Sequence, residues 1–215
     1  MSDTRGFVIA LLGAESTGKT TLALALRDAL AAEGRDCVVV PEYLREFCDR
    51  EQRTPRIDEQ RGIAAEQTRR IEAAALAHPF VIADTTALMI AVYSHQVFGD
   101  TGLYPHAETA HAHACDLTLL TAPDLPWQAD GLQRDGPQVR EPVDAKVRAA
   151  LQRAGVAHSV VFGRGAARLD AALACARRAL DPPPSAAEQP SVRWHWHCER
   201  CGDADCERRR LLPVG

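Results

Sequence analysis

Residues 13–20 read GAESTGKT and match the pattern G-x-x-x-x-G-K-[ST] at every defined position. An apolar run, residues 7–12, precedes them, and a segment with leucines at helical spacing follows. Glycines let such a loop turn its backbone N–H groups toward phosphate oxygens, while the following helix N-terminus adds partial positive charge. The pattern therefore predicts binding of ATP and Mg²⁺. The predicted ATP contacts are Gly13, Glu15, Ser16, Thr17, Gly18, Lys19, Thr20 and Thr21, with the Thr20 hydroxyl also a magnesium ligand.

Apolar runs of strand length alternate with helical patterns along the rest of the chain. The predicted strands are residues 7–12, 37–40, 80–83, 116–120 and 159–162. The predicted helices are residues 20–32, 57–77, 85–97, 142–154 and 166–180. This alternation is typical of α/β proteins. It predicts a P-loop NTPase fold, in which a doubly wound, parallel five-stranded sheet carries helices on both faces.

The composition changes after residue 180, where DPPPSAAEQP begins a stiff, proline-rich segment. We therefore predict a P-loop domain over residues 1–181, a linker over 182–193 and a small Cys/His tail over 194–215. The tail holds Cys198, Cys201 and Cys206, preceded by His197 and His195. Thiolates and an imidazole at this spacing predict a structural Zn²⁺ site, with the choice between the two histidines open. The alternative is a tail with reduced cysteines and no metal.

Two acidic residues end predicted strands, and the carboxyl ends of parallel strands are where ligands bind in open α/β sheets. Asp84 ends the third strand, where a carboxylate can hold Mg²⁺; the alternative is an N-cap for the next helix. Glu42 ends the second strand, where it can accept a proton from a substrate hydroxyl or hold a sugar. Arg45 can pair with Glu42 or with a phosphate. The alternative for this segment is a solvated, charged turn.

The segment after the fourth strand adds four candidates. Trp127 can stack against a flat ring, with Asp130 as a polar partner, although a tryptophan here can equally belong to the core. Arg134 and Arg140 flank a stretch that contains Gly and Pro and can close over phosphates as a lid. By contrast, His106, His111 and His113 do not share one helix face, which favours a polar surface helix over a metal site.

Four segments together resemble the ribosylnicotinamide kinase domain of the NadR-type proteins. They are GAESTGKTTLA at 13–23, PEYLREF at 41–47, IADTT at 82–86 and DLTLLTAPDLPWQADGL at 116–132. The resemblance covers residues 7 to about 180 and leaves the tail out. It implies ATP-dependent phosphorylation of the ribose 5′-hydroxyl of nicotinamide riboside to nicotinamide mononucleotide, a step of NAD salvage. Alternatives are a kinase of another nucleoside or small metabolite, and an ATP-dependent switch that acts through the tail.

The resemblance also implies roles for Lys19, Asp84 and Glu42. They form the expected catalytic set together with the lid candidate Arg140, and we expect the other lid candidate, Arg134, to contact ATP. Glu42, Tyr43, Arg45, Trp127 and Asp130 form the expected substrate pocket, in which Tyr43 and Trp127 flank the base. Which carboxylate acts as the general base is left open.

Bulk properties favour a small-molecule partner. The formal net charge is −4, which gives no electrostatic reason to expect nucleic acid or anionic membrane at the core. No apolar stretch approaches the roughly 18 residues that a membrane span needs. The cysteines at 37, 48, 115 and 175 are scattered singly, as reduced thiols usually are. We therefore expect a cytoplasmic protein and leave open the partner of the tail and the oligomeric state, a homo-oligomer included.

Overall fold

The computed structural model describes residues 5–128 and 136–181 of the chain. Five strands lie within them: β1 (Phe7–Leu12), β2 (Cys37–Val40), β3 (Phe80–Asp84), β4 (Leu117–Thr121) and β5 (His158–Val161). They form one sheet in the order β2-β3-β1-β4-β5, and every neighbouring pair is parallel. The predicted α/β P-loop NTPase fold with a five-stranded sheet is thereby confirmed.

Seven α-helices lie within the described residues. They are α1 (Lys19–Ala32), α2 (Tyr43–Glu51), α3 (Gln60–Ala77), α4 (Ala87–Phe98), α5 (Tyr104–Ala114), α6 (Arg140–Arg153) and α7 (Gly165–Leu180). Short 3-10 helices, Ile57–Glu59 and Pro137–Val139, precede α3 and α6. In the part of the chain that the structure describes, no helix has the length and apolar character to cross a bilayer.

Helices cover both faces of the sheet because the apolar strands point side chains in both directions. In β1, every residue from Val8 to Leu12 is fully buried. On one face, Ile9 and Leu11 join a core cluster with leucines of α1 and α7. On the other face, Leu12 packs in a cluster with residues of α3, α4 and α6. Burial of β1 on both sides fixes the position of the loop that follows it.

Two helices depart from the sequence-based expectations. The segment after β2 forms α2, so the alternative of a charged turn there is wrong; Leu44, Phe47 and Cys48 make its buried face. Helix α5 carries the three histidines, but His111 is only 2% exposed, so the expected surface helix is wrong for that residue. Burial lowers the pKa of His111 to about 4. Its imidazole is therefore neutral at neutral pH.

Candidate active site

The glycine-rich loop after β1 is built as the sequence pattern predicts. Gly18 has φ 75° and is the N-cap residue of α1, and Ser16 also lies in the left-handed region at φ 53°. Gly13 has φ 147°, and a Cβ there would lie 2.2 Å from Thr121 Oγ1 and 2.8 Å from the Thr121 carbonyl oxygen. The loop thus crosses the end of β4 so closely that only glycine fits at position 13.

Polar side chains of the loop bond to its own backbone and to β4. Lys19 Nζ donates to the carbonyl oxygens of Gly13 and Ala14, both at 2.9 Å. The hydroxyls of Thr17 and Thr121 lie 2.7 Å apart, and Thr121 Oγ1 donates to the Leu12 carbonyl at 3.0 Å. These contacts hold a compact loop that encloses the Lys19 ammonium at the start of α1.

Asp84 lies directly beside this loop. It ends β3 opposite Leu11 of β1, is only 2% exposed, and its Oδ2 accepts a 2.6 Å hydrogen bond from Thr20 Oγ1. Its other oxygen, Oδ1, is buried and has no hydrogen-bond partner among the described residues. An orphaned carboxylate oxygen beside a hydroxyl suits a hard cation such as Mg²⁺, which prefers oxygen ligands. The donor set therefore fits the metal that the sequence implies.

The backbone after Asp84 settles the alternative role of that residue. Thr86, and not Asp84, is the N-cap residue of α4, and its side chain accepts the Leu88 N–H at 3.3 Å. The N-cap interpretation of Asp84 is therefore wrong. Between them, Thr85 has φ 81°, an unusual value for a β-branched residue, and its buried hydroxyl has no described partner. Strained backbone of this kind is concentrated at functional sites.

Glu42 lies at the end of β2, next to β3 in the sheet. Its side chain is 13% exposed, and Oε2 lies 3.9 Å from Arg45 Nη2, so the two residues are brought together as expected. Tyr43 begins α2, and the guanidinium carbon of Arg70 lies 4.4 Å from the centroid of its ring. The Tyr43 ring therefore contacts a cation and also packs against the core cluster that includes residues of α3 and α4.

The loop after β4 reaches the glycine-rich loop. Ser16 Oγ donates to the Gln128 carbonyl at 2.6 Å, and Leu125 Cδ1 lies 3.0 Å from where a Gly18 Cβ would be. Arg140, the first residue of α6, is 7% exposed and donates from Nη1 to the Leu125 carbonyl at 2.8 Å. Its Nε and Nη2 are buried without described partners, which suits the anion expected near this position.

The remaining predicted residues are only partly accounted for. Trp127 is half-buried, and its buried indole Nε1 has no described partner. Asp130 and Arg134 lie outside the described residues, as do Cys198, Cys201, Cys206 and His197. The described residues hold no group of three or more His, Cys, Asp or Glu side chains arranged for a metal. The zinc site, the linker and tail boundaries, the oligomeric state and the cellular location stay predictions.

Sequence reasoning missed two buried polar residues that support the site. Arg168 of α7 is 4% exposed and donates to Asp124 Oδ1, the Gly163 carbonyl and the Ala122 carbonyl at 2.7–2.9 Å. Burial alone would raise the pKa of Asp124, but hydrogen bonds from the Gly163 N–H and from Arg168 lower it below its ordinary value. Gln67 of α3 is fully buried and bonds to the loops after β2 and β3.

These features define a nucleotide-binding protein of the P-loop class. A family described as AAA domain matches residues 8–168, which is well over half of the chain. The chain therefore belongs to the AAA-domain family.

Two solved structures have a similar fold. The first, a NadR protein in complex with NR, superposes with a TM-score of 0.67 at 20% identity, over 80% of this chain and 51% of that one. The second, a NadR protein in complex with NAD and AMP-PNP, gives a TM-score of 0.62 at 19% identity, over 80% and 49%. The chain thus spans about half the length of these NadR chains, and the expected resemblance is confirmed for the fold. No curated protein matches the sequence.

Proposed function

We propose that this chain is an ATP-dependent kinase that phosphorylates the ribose 5′-hydroxyl of nicotinamide riboside, giving nicotinamide mononucleotide. The observation that carries a kinase reaction is the 2.6 Å contact of Thr20 with Asp84, because it joins the glycine-rich loop to a buried carboxylate. The other oxygen of that carboxylate has no hydrogen-bond partner among the described residues. Glu42, at the end of the neighbouring strand, adds a second carboxylate on the acceptor side. The fold likeness to a NadR protein in complex with NR supports the choice of acceptor.

On the nucleotide side, the backbone of residues 13–18 and the start of α1 hold the phosphates of ATP. Lys19 and Arg140 place positive charge on the phosphoryl group that is transferred, with Arg134 as a further ATP contact. Thr20 and Asp84 supply oxygen ligands for Mg²⁺, which offsets the negative charge of the β- and γ-phosphates when it is bound. Two nitrogens of buried Arg140, which have no hydrogen-bond partner among the described residues, are the donors available for this purpose.

On the acceptor side, Glu42 and Arg45 hold the ribose, Tyr43 and Trp127 flank the base, and Asp130 lines the pocket. The ribose 5′-oxygen forms a bond to the γ-phosphorus while the bond from that phosphorus to the β–γ bridging oxygen breaks, and ADP leaves. We assign Glu42 as the acceptor of the hydroxyl proton, because this proposal gives Asp84 to Mg²⁺ together with Thr20. Positioning contributes most to such a loose transition state.

The test is ATP consumption by the purified chain with the product identified by mass spectrometry. Nicotinamide riboside is compared with adenosine, uridine, deoxynucleosides and a reaction without acceptor. We expect riboside-dependent formation of the mononucleotide. We also expect Asp84→Asn and Glu42→Gln to lower turnover by about 100-fold or more, as loss of one catalytic group usually does. Asp28→Asn, a change to an exposed carboxylate of α1, is the matched control and should leave turnover unchanged.

A binding measurement separates the possible outcomes. ATP at a hundredfold excess over its Kd should raise the free energy of unfolding by about 2.7 kcal/mol, and Lys19→Ala should remove this effect. Phosphorylation of a different nucleoside would contradict the proposed acceptor but support the proposed kinase activity. ATP-dependent stabilisation without turnover on any acceptor would contradict the kinase and favour a nucleotide-dependent switch.

A further inference from the structure

Gln67 is a polar residue in the middle of the buried face of α3. It lies four residues after Ile63 and four before Ile71, both of which are in the core, and its own side chain is fully buried. A buried amide without hydrogen bonds is costly, so such a residue is expected to have specific partners. Its bonds leave α3 altogether and end at two loops at the carboxyl edge of the sheet.

Three hydrogen bonds fix the Gln67 amide. Oε1 accepts the backbone N–H of Tyr43 at 2.7 Å, and Nε2 donates to the carbonyl oxygens of Pro41 and Thr85, each at 3.3 Å. Because Tyr43 offers only a donor and the two carbonyls only acceptors, the amide has one possible orientation. Tyr43 is the first residue of α2, whose N–H has no partner within its own helix. Gln67 therefore supplies a cap from outside that helix.

The partners of Gln67 are the immediate neighbours of the two site carboxylates. Pro41 and Tyr43 flank Glu42, and Thr85 follows Asp84. Thr85 is also the residue with the strained φ of 81°, so its carbonyl is held in a backbone conformation that needs support from its surroundings. A single side chain thus joins the loop after β2 to the loop after β3, on both sides of one carboxylate and directly after the other.

We propose that Gln67 is a positioning residue that sets the separation of Glu42 from Asp84, and therefore that of the acceptor hydroxyl from the phosphoryl group. This inference rests on the proposed kinase function. Only an amide of this length can act, since three backbone groups need one acceptor and two donors. Glutamate lacks the donors, methionine lacks all three groups, and asparagine is one methylene shorter. The three hydrogen bonds described for Gln67 all end at the loops after β2 and β3, so we expect acceptor positioning to depend on it more than ATP binding does.

The test compares two reactions catalysed by the same molecules. For each variant, riboside phosphorylation is divided by ATP hydrolysis without acceptor, so that any unfolded fraction cancels from the ratio. We expect Gln67→Met and Gln67→Glu to lower this ratio at least about tenfold, because a misplaced acceptor loses the benefit of orientation. The Kd for ATP should stay within about twofold. Thr68→Val is the matched control, since the hydrogen bond described for the Thr68 hydroxyl goes to the Ala64 carbonyl of its own helix.

Hydrogen exchange gives a second measurement that does not depend on catalysis. In Gln67→Met, the peptides that cover residues 41–46 and 84–86 should lose protection together, while Thr68→Val leaves both unchanged. A wild-type ratio in a folded Gln67 variant would overturn the proposal, and Gln67→Glu decides if Gln67→Met does not fold. If the wild-type chain phosphorylates no riboside, the proposed function fails by itself. Unchanged exchange at both peptides would then overturn the role of Gln67 separately.

Discussion

An uncharged side chain connects the loops that follow β2 and β3 through hydrogen bonds, whereas a charged side chain connects the loops that follow β4 and β5. Gln67 joins the first pair through three backbone groups. Arg168 joins the second pair through the carbonyls of Ala122 and Gly163 and through Asp124, which also accepts the Gly163 N–H at 2.7 Å. The two pairs lie on opposite sides of β1 in the same sheet.

This difference predicts different roles for the two side chains: Gln67 acts on the geometry of the site, and Arg168 acts on the stability of the fold. A neutral amide adds no net charge near the carboxylates Glu42 and Asp84, so it can orient them without altering their ionisation. Removing the buried guanidinium of Arg168 leaves its acceptors, the Asp124 carboxylate among them, without that donor. We therefore expect this change to act mainly on the stability of the folded state. We therefore expect changes at Gln67 to affect catalysis more than stability, and changes at Arg168 to do the reverse.

The largest expected effect is the loss of stability when Arg168 is replaced. Arg168→Met removes one donor from the Asp124 carboxylate and the described side-chain donor from two carbonyls, and we expect a loss of about 3 kcal/mol in the free energy of unfolding, measured in urea. Gln67→Met leaves only neutral backbone groups without their partner and should lower the free energy of unfolding by about 1–2 kcal/mol. The ratio of riboside phosphorylation to ATP hydrolysis should stay at the wild-type value in Arg168→Met.

The matched control for Arg168→Met is Arg177→Met in the same helix. Arg177 is 55% exposed in its side chain and pairs with Glu33, so its replacement should leave the free energy of unfolding almost unchanged. A larger loss at Gln67 than at Arg168, or a changed ratio in folded Arg168→Met, would contradict the comparison.

The next effect concerns His111, which joins the loop after β3 to strand β4. Its Nδ1 lies 3.0 Å from Thr86 Oγ1, after β3, and its Nε2 lies 2.9 Å from Thr118 Oγ1 in β4. Burial lowers its pKa to about 4, below the ordinary value of about 6.5. The unfolded chain therefore binds the proton more tightly, so the stability contributed by the neutral ring is complete above pH 6.5. It is lost as the pH falls from there toward 4.

Urea denaturation at several pH values measures this contribution. Within that window, one extra proton bound by the unfolded chain gives a slope of about 1.4 kcal/mol per pH unit. His111→Gln should flatten the profile by that amount, whatever its effect at pH 7. His106→Gln, at an exposed position of the same helix, is the control for a general effect of removing a histidine. Parallel profiles for His111→Gln and the wild type would exclude the role of His111.

The strands and the glycine-rich loop were predictable because their signals are local. The residues of β1 form an uninterrupted apolar run, and Gly13 is required by one close approach to Thr121. Helix α2 had a signal too: Leu44, Phe47 and Cys48 recur at helical spacing, although the surrounding charges favour a turn.

The residues that fasten the loops were not predictable in the same way, because their partners are distant in sequence. Arg168 bonds to a carbonyl 46 residues away, and nothing local distinguishes it from the other arginines. His111 is buried because two hydroxyls can satisfy a neutral imidazole, which spacing alone does not indicate. For Gln67 the one usable signal was its place between Ile63 and Ile71 on the apolar face of α3.

The smallest expected effect comes from replacing the charged partner of Arg168 with a neutral one. Asp124→Asn keeps the shape of the side chain but removes its charge, and the wild-type carboxylate is one-third exposed. We therefore expect a loss of no more than about 1 kcal/mol at pH 7. Hydrogen bonds from Gly163 and Arg168 outweigh burial and hold the pKa of Asp124 below its ordinary value, so its stabilisation is present above about pH 3.9. It is lost as the pH falls through the lowered pKa.

Denaturation of both proteins at pH 7 and at a series of pH values below about 3.9 tests this assignment. The difference between the wild type and Asp124→Asn should shrink as the pH falls along this series, because a growing fraction of the wild-type carboxyl is protonated and resembles the amide. Asp28→Asn, at an exposed carboxylate whose partner Arg27 is also on the surface, should show little difference at any pH. A difference that stays constant along the whole series would mean that the shape of Asp124, and not its charge, holds the loops. The two sides of the sheet would then be held by the same kind of contact.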